Sequence, residues 1–143
     1  MASAEVNDTI NAPIEKVWAL ATDFVGIDKI MSGIDTCEGE GEGVGSVRRL
    51  TLNGAEGIVV ERLERLDEAA HELDYSITEE TTAAMPFREY LATIKLTAAG
   101  DATQVNWSSR FEPQIAEDKA VRFARGIYTA GIAGFKNALG LES

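Results

Sequence analysis

One cysteine and one histidine are all that the 143 residues contain of those two types. Cys37 has no partner within the chain, so an intrachain disulfide is impossible. His71 lies far from it in sequence, which leaves neither a zinc-binding spacing nor a Cys–His pair for nucleophilic catalysis. Glu38 and Glu40 flank Cys37 and should raise its thiol pKa, so a reactive thiol is not expected. His71 falls in a turn and is expected to be solvated. No metal and no cofactor is called for.

Basic residues are also scarce: 13 Lys and Arg stand against 24 Asp and Glu, a formal net charge of −11. Nucleic acid and anionic membrane surfaces need clustered Lys and Arg, so both are excluded as partners. No stretch approaches the ~20 apolar residues of a membrane helix, which excludes membrane insertion. The opening MASAEVNDTINAP has neither the basic nor the apolar segment of a signal peptide. A cytoplasmic protein is the expectation, as a monomer or homodimer. Residues 1–143 are read as one domain, large enough to bury a core without a staple.

What is present is pattern. Residues 4–10 alternate, Ala4, Val6, Asp8 and Ile10 against Glu5, Asn7 and Thr9, as in a half-buried strand. Asn11-Ala12-Pro13 stops it, and Ile14, Val17, Trp18, Ala21 and Phe24 follow at helical spacing. A second short turn is expected over residues 27–31. From Glu38 to Gly45 acid and glycine alternate; the run lacks the Gly-Lys-Ser/Thr ending of a phosphate loop and carries repelling carboxylates, so it reads as a flexible turn between strands. Strands are expected over 46–52, 57–66, 72–78, 88–97 and 105–112, with Asn53-Gly54 as a hairpin signal.

The longest helical pattern spans residues 115–141. Val121, Ala124, Tyr128, Ile132, Phe135 and Leu139 form one stripe. Beside it Phe123, Ile127, Ala130, Gly131, Gly134 and Ala138 form a second, made mostly of very small residues. Glycine inside a helix costs about 1 kcal/mol relative to alanine, so these glycines serve either close packing on a sheet or one wall of a cavity. Strands in succession with helices segregated from them give an α+β fold with an antiparallel sheet.

Period-2 arithmetic sorts the strand faces. Tyr90, Ala92, Ile94 and Leu96 point in; so do Val105, Trp107, Ser109 and Phe111, and Leu73, Tyr75 and Ile77. Leu50 and Leu52 place Arg48 on the inner side, and Val59 and Leu63 place Glu61 there. A lone buried charge costs several kcal/mol. Arg48 and Glu61 should therefore pair, contact a ligand or trapped water, or lie near a rim. Tyr75 and Tyr90 beside Glu61 would supply convergent hydrogen-bonding groups in an apolar setting, as ligand pockets do.

Several strings occur in an order that resembles the START/Bet v 1-like superfamily: Ile10-Asn11-Ala12-Pro13 with Val17-Trp18, Gly43-Val44-Gly45-Ser46-Val47-Arg48, Glu61-Arg62-Leu63 with Asp67, then Pro86, Tyr90, Trp107 and Phe111-Glu112-Pro113. That superfamily includes polyketide cyclases and dehydrases, lipid-transfer domains, plant pathogenesis-related proteins and abscisic acid receptors. The resemblance implies a helix-grip fold: seven antiparallel strands around a long C-terminal helix, two short helices between strands 1 and 2, and a hydrophobic cavity rimmed by residues 52–56 and 82–87. In the receptor branch a glutamate and a tyrosine that contact the hormone fall at Glu61 and Tyr90, whereas the lysine that pairs with the hormone carboxylate is replaced by Asp35, and the gate and latch motifs are absent.

The expected ligand set is Arg48, Leu50, Leu52, Val59, Glu61, Tyr75, Pro86, Tyr90, Trp107, Phe123, Ile127 and Gly131, around a small hydrophobic molecule held by a carrier or sensor. The alternatives are a cyclase/dehydrase-like enzyme with Glu61 and Tyr90 as catalytic candidates, and an interaction protein whose cavity is filled by its own side chains.

Overall fold

Asn11-Ala12-Pro13 marks the first corner. Strand β1 (Ala2–Ile10) ends there and helix α1 (Ile14–Thr22) begins, with Pro13 in extended conformation ahead of it. A computed structural model describes residues 1–141. Phe24 does not continue α1 but opens a 3₁₀ helix, Phe24–Lys29. The strands then follow as β2 (Ile34–Glu40), β3 (Val47–Leu52), β4 (Val59–Asp67), β5 (Glu72–Ile77), β6 (Phe87–Ala99) and β7 (Ala102–Pro113), and helix α2 (Glu117–Ala138) closes the order. They form one seven-stranded antiparallel sheet in the order β1-β7-β6-β5-β4-β3-β2. This is the helix-grip fold expected from the sequence.

The inner-face assignments hold along most of the sheet. Tyr90, Ala92, Ile94 and Leu96 on β6 are buried, as are Val105, Trp107, Ser109 and Phe111 on β7. Phe87 is buried out of phase because the β6–β7 register shifts between Arg88 and Leu91, where Glu89 takes a positive φ of 51°. A second shift lies between Leu63 and Arg65. Such bulges bend a strand and increase its twist, which curls the sheet around a helix. Val60 is fully buried although its neighbours Val59 and Glu61 face inward. The β5–β6 connection folds over it: Val60 N donates to Thr81 Oγ1, and Thr78 N donates to the Val60 carbonyl.

Two sequence expectations need correction. Glu38, Gly39 and Glu40 belong to edge strand β2, and only the following residues, 41–46, form the turn. Asn53-Gly54 is not a two-residue turn; the β3–β4 connection runs from 53 to 58 and uses positive φ at Gly54 and Gly57.

Helix α2 buries Ala120, Ala124, Tyr128, Gly131, Ile132, Gly134 and Phe135. Trp107 stacks on Tyr128 and Phe135, with ring centroids 5.2 and 5.9 Å away. A Cβ at Gly131 would stand 2.4 Å from Trp107 Cζ3, and one at Gly134 would stand 2.3 Å from the Ile30 carbonyl oxygen. These two glycines serve close packing. A Cβ at Gly126 would meet nothing within 4 Å.

Candidate functional site

The register that pairs β3 with β4 sets Arg48 directly opposite Glu61. Both are buried, at 5% and 8% exposure. Arg48 Nε donates to Glu61 Oε1 at 2.7 Å, and Nη2 lies 2.7 Å from the same oxygen. Nη1 donates to the Phe24 carbonyl at 2.8 Å. The guanidinium lies over the Phe24 ring, 3.9 Å from its centroid, and 5.1 Å from that of Tyr75. Desolvated cation–π contacts of this kind add to the ion pair in holding the head in place.

This pair lies on the wall of a cavity of about 500 Å³ between the sheet and α2. Leu50, Tyr75 and Trp107 continue the inner wall; Ile127, Gly126 and Ala130 come from α2; Ile27, Met31, Ile34, Leu52 and Met85 complete an apolar lining. Phe123, at 46% exposure, and the exposed Ser32 and Arg122 mark its solvent side. A hollow of about 630 Å³ beside the β5–β6 connection, among Arg62, Glu64, Ser76, Glu79 and Glu80, has walls of mixed polarity.

Of the residues expected to touch a ligand, Arg48, Leu50, Leu52, Glu61, Tyr75, Trp107, Phe123 and Ile127 line this cavity. Val59, Pro86, Tyr90 and Gly131 do not. Val59 shares the inner face with Leu50 but is covered in a small cluster with Ile27 and Ala83. Pro86 is buried and its carbonyl accepts from Gln114 N. Gly131 lies under Trp107. Tyr90 faces inward, but its hydroxyl is hydrogen-bonded to that of Tyr128 and its ring packs between Phe87 and Phe111.

Family membership follows once sequence and geometry are set side by side. Residues 1–140 match the family model described as polyketide cyclase / dehydrase and lipid transport. The chain belongs to this family. Solved relatives agree in shape. XoxI from Bacillus cereus is 26% identical, with a TM-score of 0.83 over 96% of this chain and 95% of that one. An uncharacterized protein from Bacillus thuringiensis is also 26% identical, with a TM-score of 0.82 over 96% and 98%. Ara h 8.0201 shares the fold at 20% identity, with a TM-score of 0.79 and 95% of each chain covered. A search of curated proteins by sequence finds no match.

For a member of the polyketide cyclase/dehydrase and lipid transport family, the electrostatics of the interior are simple. Burial pushes the Tyr75 and Tyr90 phenols well above their ordinary value and the Tyr128 phenol to about 12. Trp107 Nε1 donates to the Tyr75 hydroxyl at 3.0 Å, which leaves the Tyr75 O–H as a donor. Cys37 is pushed up to about 11, chiefly by burial; its sequence neighbours Glu38 and Glu40, expected to be the cause, are not. His71 is half-buried, edge-on to Trp18, rather than freely solvated. Among the described residues no group of three or more His, Cys, Asp or Glu is placed to hold a metal ion, and no helix is long and apolar enough to cross a membrane.

Besides Met85 on the β5–β6 connection and Arg122 near the start of α2, the lining residues that sequence reasoning missed fall into two groups. Gly126 and Ala130 lie on the small-residue side of α2, a signal already visible in the sequence. Ile27, Met31, Ser32, Gly33 and Ile34 lie on the segment leading into β2, where no periodicity marks a wall.

Proposed function

We propose that the protein binds a small, mostly apolar molecule in the cavity between the sheet and α2, as a carrier or sensor. The observation that carries this reading is the cavity itself. Its volume of about 500 Å³ lies within the roughly 300–1,000 Å³ of pockets that hold small ligands. Its walls are Leu, Ile, Met and aromatic side chains, and its charged groups are a buried, mutually neutral pair and one exposed arginine. Apolar area removed from water supplies about 25 cal/mol per Å², enough for a guest of modest size to be held without a covalent bond.

Ala130→Trp would project an indole into the space from the exposed side of α2. A neutral apolar fluorophore such as N-phenyl-1-naphthylamine should bind the parent protein saturably, one per chain. Ala130→Trp should bind it at least about tenfold more weakly, a loss of some 1.4 kcal/mol, with an unchanged circular dichroism spectrum. Equal uptake by both proteins would place the bound dye elsewhere and refute the reading.

Catalysis on a guest in the same cavity is the second reading. Its favourable observation is Glu61, a carboxylate on the cavity wall. Tyr90 bonds to the Tyr128 hydroxyl and is outside the cavity lining, so this reading leans on Glu61.

A further inference from the structure

The polar end of the cavity holds a buried ion pair, Arg48 with Glu61. We infer that the guest is neutral and carries a hydroxyl group, an alcohol or a phenol, which enters head first toward Arg48 and Glu61; this rests on the binding reading above.

Three observations lead there. The first is charge balance. Arg48 and Glu61 are the buried ionised side chains of the lining, and they cancel. The remaining one, Arg122, is exposed at the mouth with its side chain 71% accessible, 3.6 Å from Asp118. A carboxylate or an ammonium placed at the inner end would therefore be a net buried charge, which costs several kcal/mol. The second is donor and acceptor supply. A guanidinium has five N–H donors; on Arg48, Nε donates to Glu61 Oε1 and Nη1 to the Phe24 carbonyl, while Nη2 lies 2.7 Å from the same Glu61 oxygen as an ion-pair contact. N–H groups on Nη1 and Nη2 remain without a hydrogen bond, and both contacts to Glu61 go to Oε1, leaving Oε2 as an acceptor. Tyr75, with Trp107 donating to its oxygen, has its own O–H to give. A hydroxyl donates and accepts through one atom and so can answer both kinds of group; an ether or ketone answers only the donors. The third is depth. Arg48, Glu61, Tyr75 and Trp107 are all below 9% exposure, whereas Phe123 at the other end is 46% exposed, so the polar end is the inner one.

The test uses the full-length protein loaded with N-phenyl-1-naphthylamine and four competitors of equal chain length, kept below their micelle concentrations: 1-decanol, decanoate, decylammonium and decyl methyl ether. The salt is about 1 M, where a screening length of roughly 3 Å removes the general repulsion from the acidic surface. Decanol should displace the dye at a concentration roughly tenfold lower than either ion, and about threefold or more below the ether. Glu61→Gln leaves Arg48 as a net cation and should bring decanoate ahead of decanol. Decanoate matching or beating decanol on the parent protein would overturn the inference while leaving the binding reading intact. The ether matching decanol would overturn the hydroxyl assignment. Failure of the dye itself to bind would remove the binding reading, and this inference with it. The parent protein alone decides the first comparison, so the outcome does not depend on the folding of Glu61→Gln.

Discussion

Tyr75, Tyr90 and Tyr128 are the three tyrosines of the chain, and all three are buried. Each phenol is held above its ordinary pKa of 10.0 chiefly by desolvation. A group whose folded pKa is raised supports the fold fully below its unfolded pKa, and that support is lost as pH rises through the folded value. Phenolate absorbance should therefore stay close to zero in the folded protein at about pH 10.5, then appear for all three tyrosines together as the fold collapses toward about pH 12. A single tyrosine titrating near pH 10 with the fold intact would contradict this burial. At this scale the sequence was informative about direction and silent about depth. Alternation placed Arg48, Glu61, Tyr75 and Tyr90 on one face, and all four are there. It could not tell that Tyr128 of α2 would cover Tyr90, because that depends on how a helix more than twenty residues further along the chain settles on the sheet.

Among elements, α2 combines two kinds of glycine that look alike in sequence. Gly126 faces open space, so an added methyl meets no obstacle. Gly126→Ala should stabilise the protein by roughly 0.5–1 kcal/mol through helix propensity, a rise of a few degrees in the thermal midpoint. Gly131→Ala would push a methyl to 2.4 Å from the Trp107 ring, and should destabilise by roughly 1–3 kcal/mol through overpacking. Paired thermal melts check both; a gain for Gly131→Ala would mean that Trp107 does not lie where the stacked rings place it. The small stripe was readable as either close packing or cavity wall, and it serves as both, divided between neighbouring turns. Strand order and faces were legible because alternation survives wherever one face is covered. The rule is interrupted at the bulge beside Glu89 and at Val60 under the β5–β6 connection, where the sequence reading assigns no face to Phe87 or Val60. The Glu-Gly-Glu run, misread as a turn, pairs as part of edge strand β2 despite poor strand propensity.

The molecule as a whole is a curved sheet and a terminal helix that meet tightly at Trp107, Gly131 and Phe135 and stand apart beside Gly126 and Ala130. The aromatic residues that could have closed the gap are used elsewhere: Tyr90 in the core, Trp107 largely against α2, Phe123 at the mouth. The larger part of the lining, from strands β3, β4, β5 and β7 and from α2, was accessible to pattern; the smaller part, from residues 27–34, was not, since a short 3₁₀ helix and the link to β2 are too brief to carry a period. The most direct measurement is solution NMR of the methyl-labelled protein saturated with 1-decanol. The account predicts guest-to-methyl Overhauser contacts at Leu50, Leu52 and Ile127, with none at Ile94 or Leu96 in the packed core. Contacts at Ile94 and Leu96, or none at the three cavity residues while decanol binds, would contradict it.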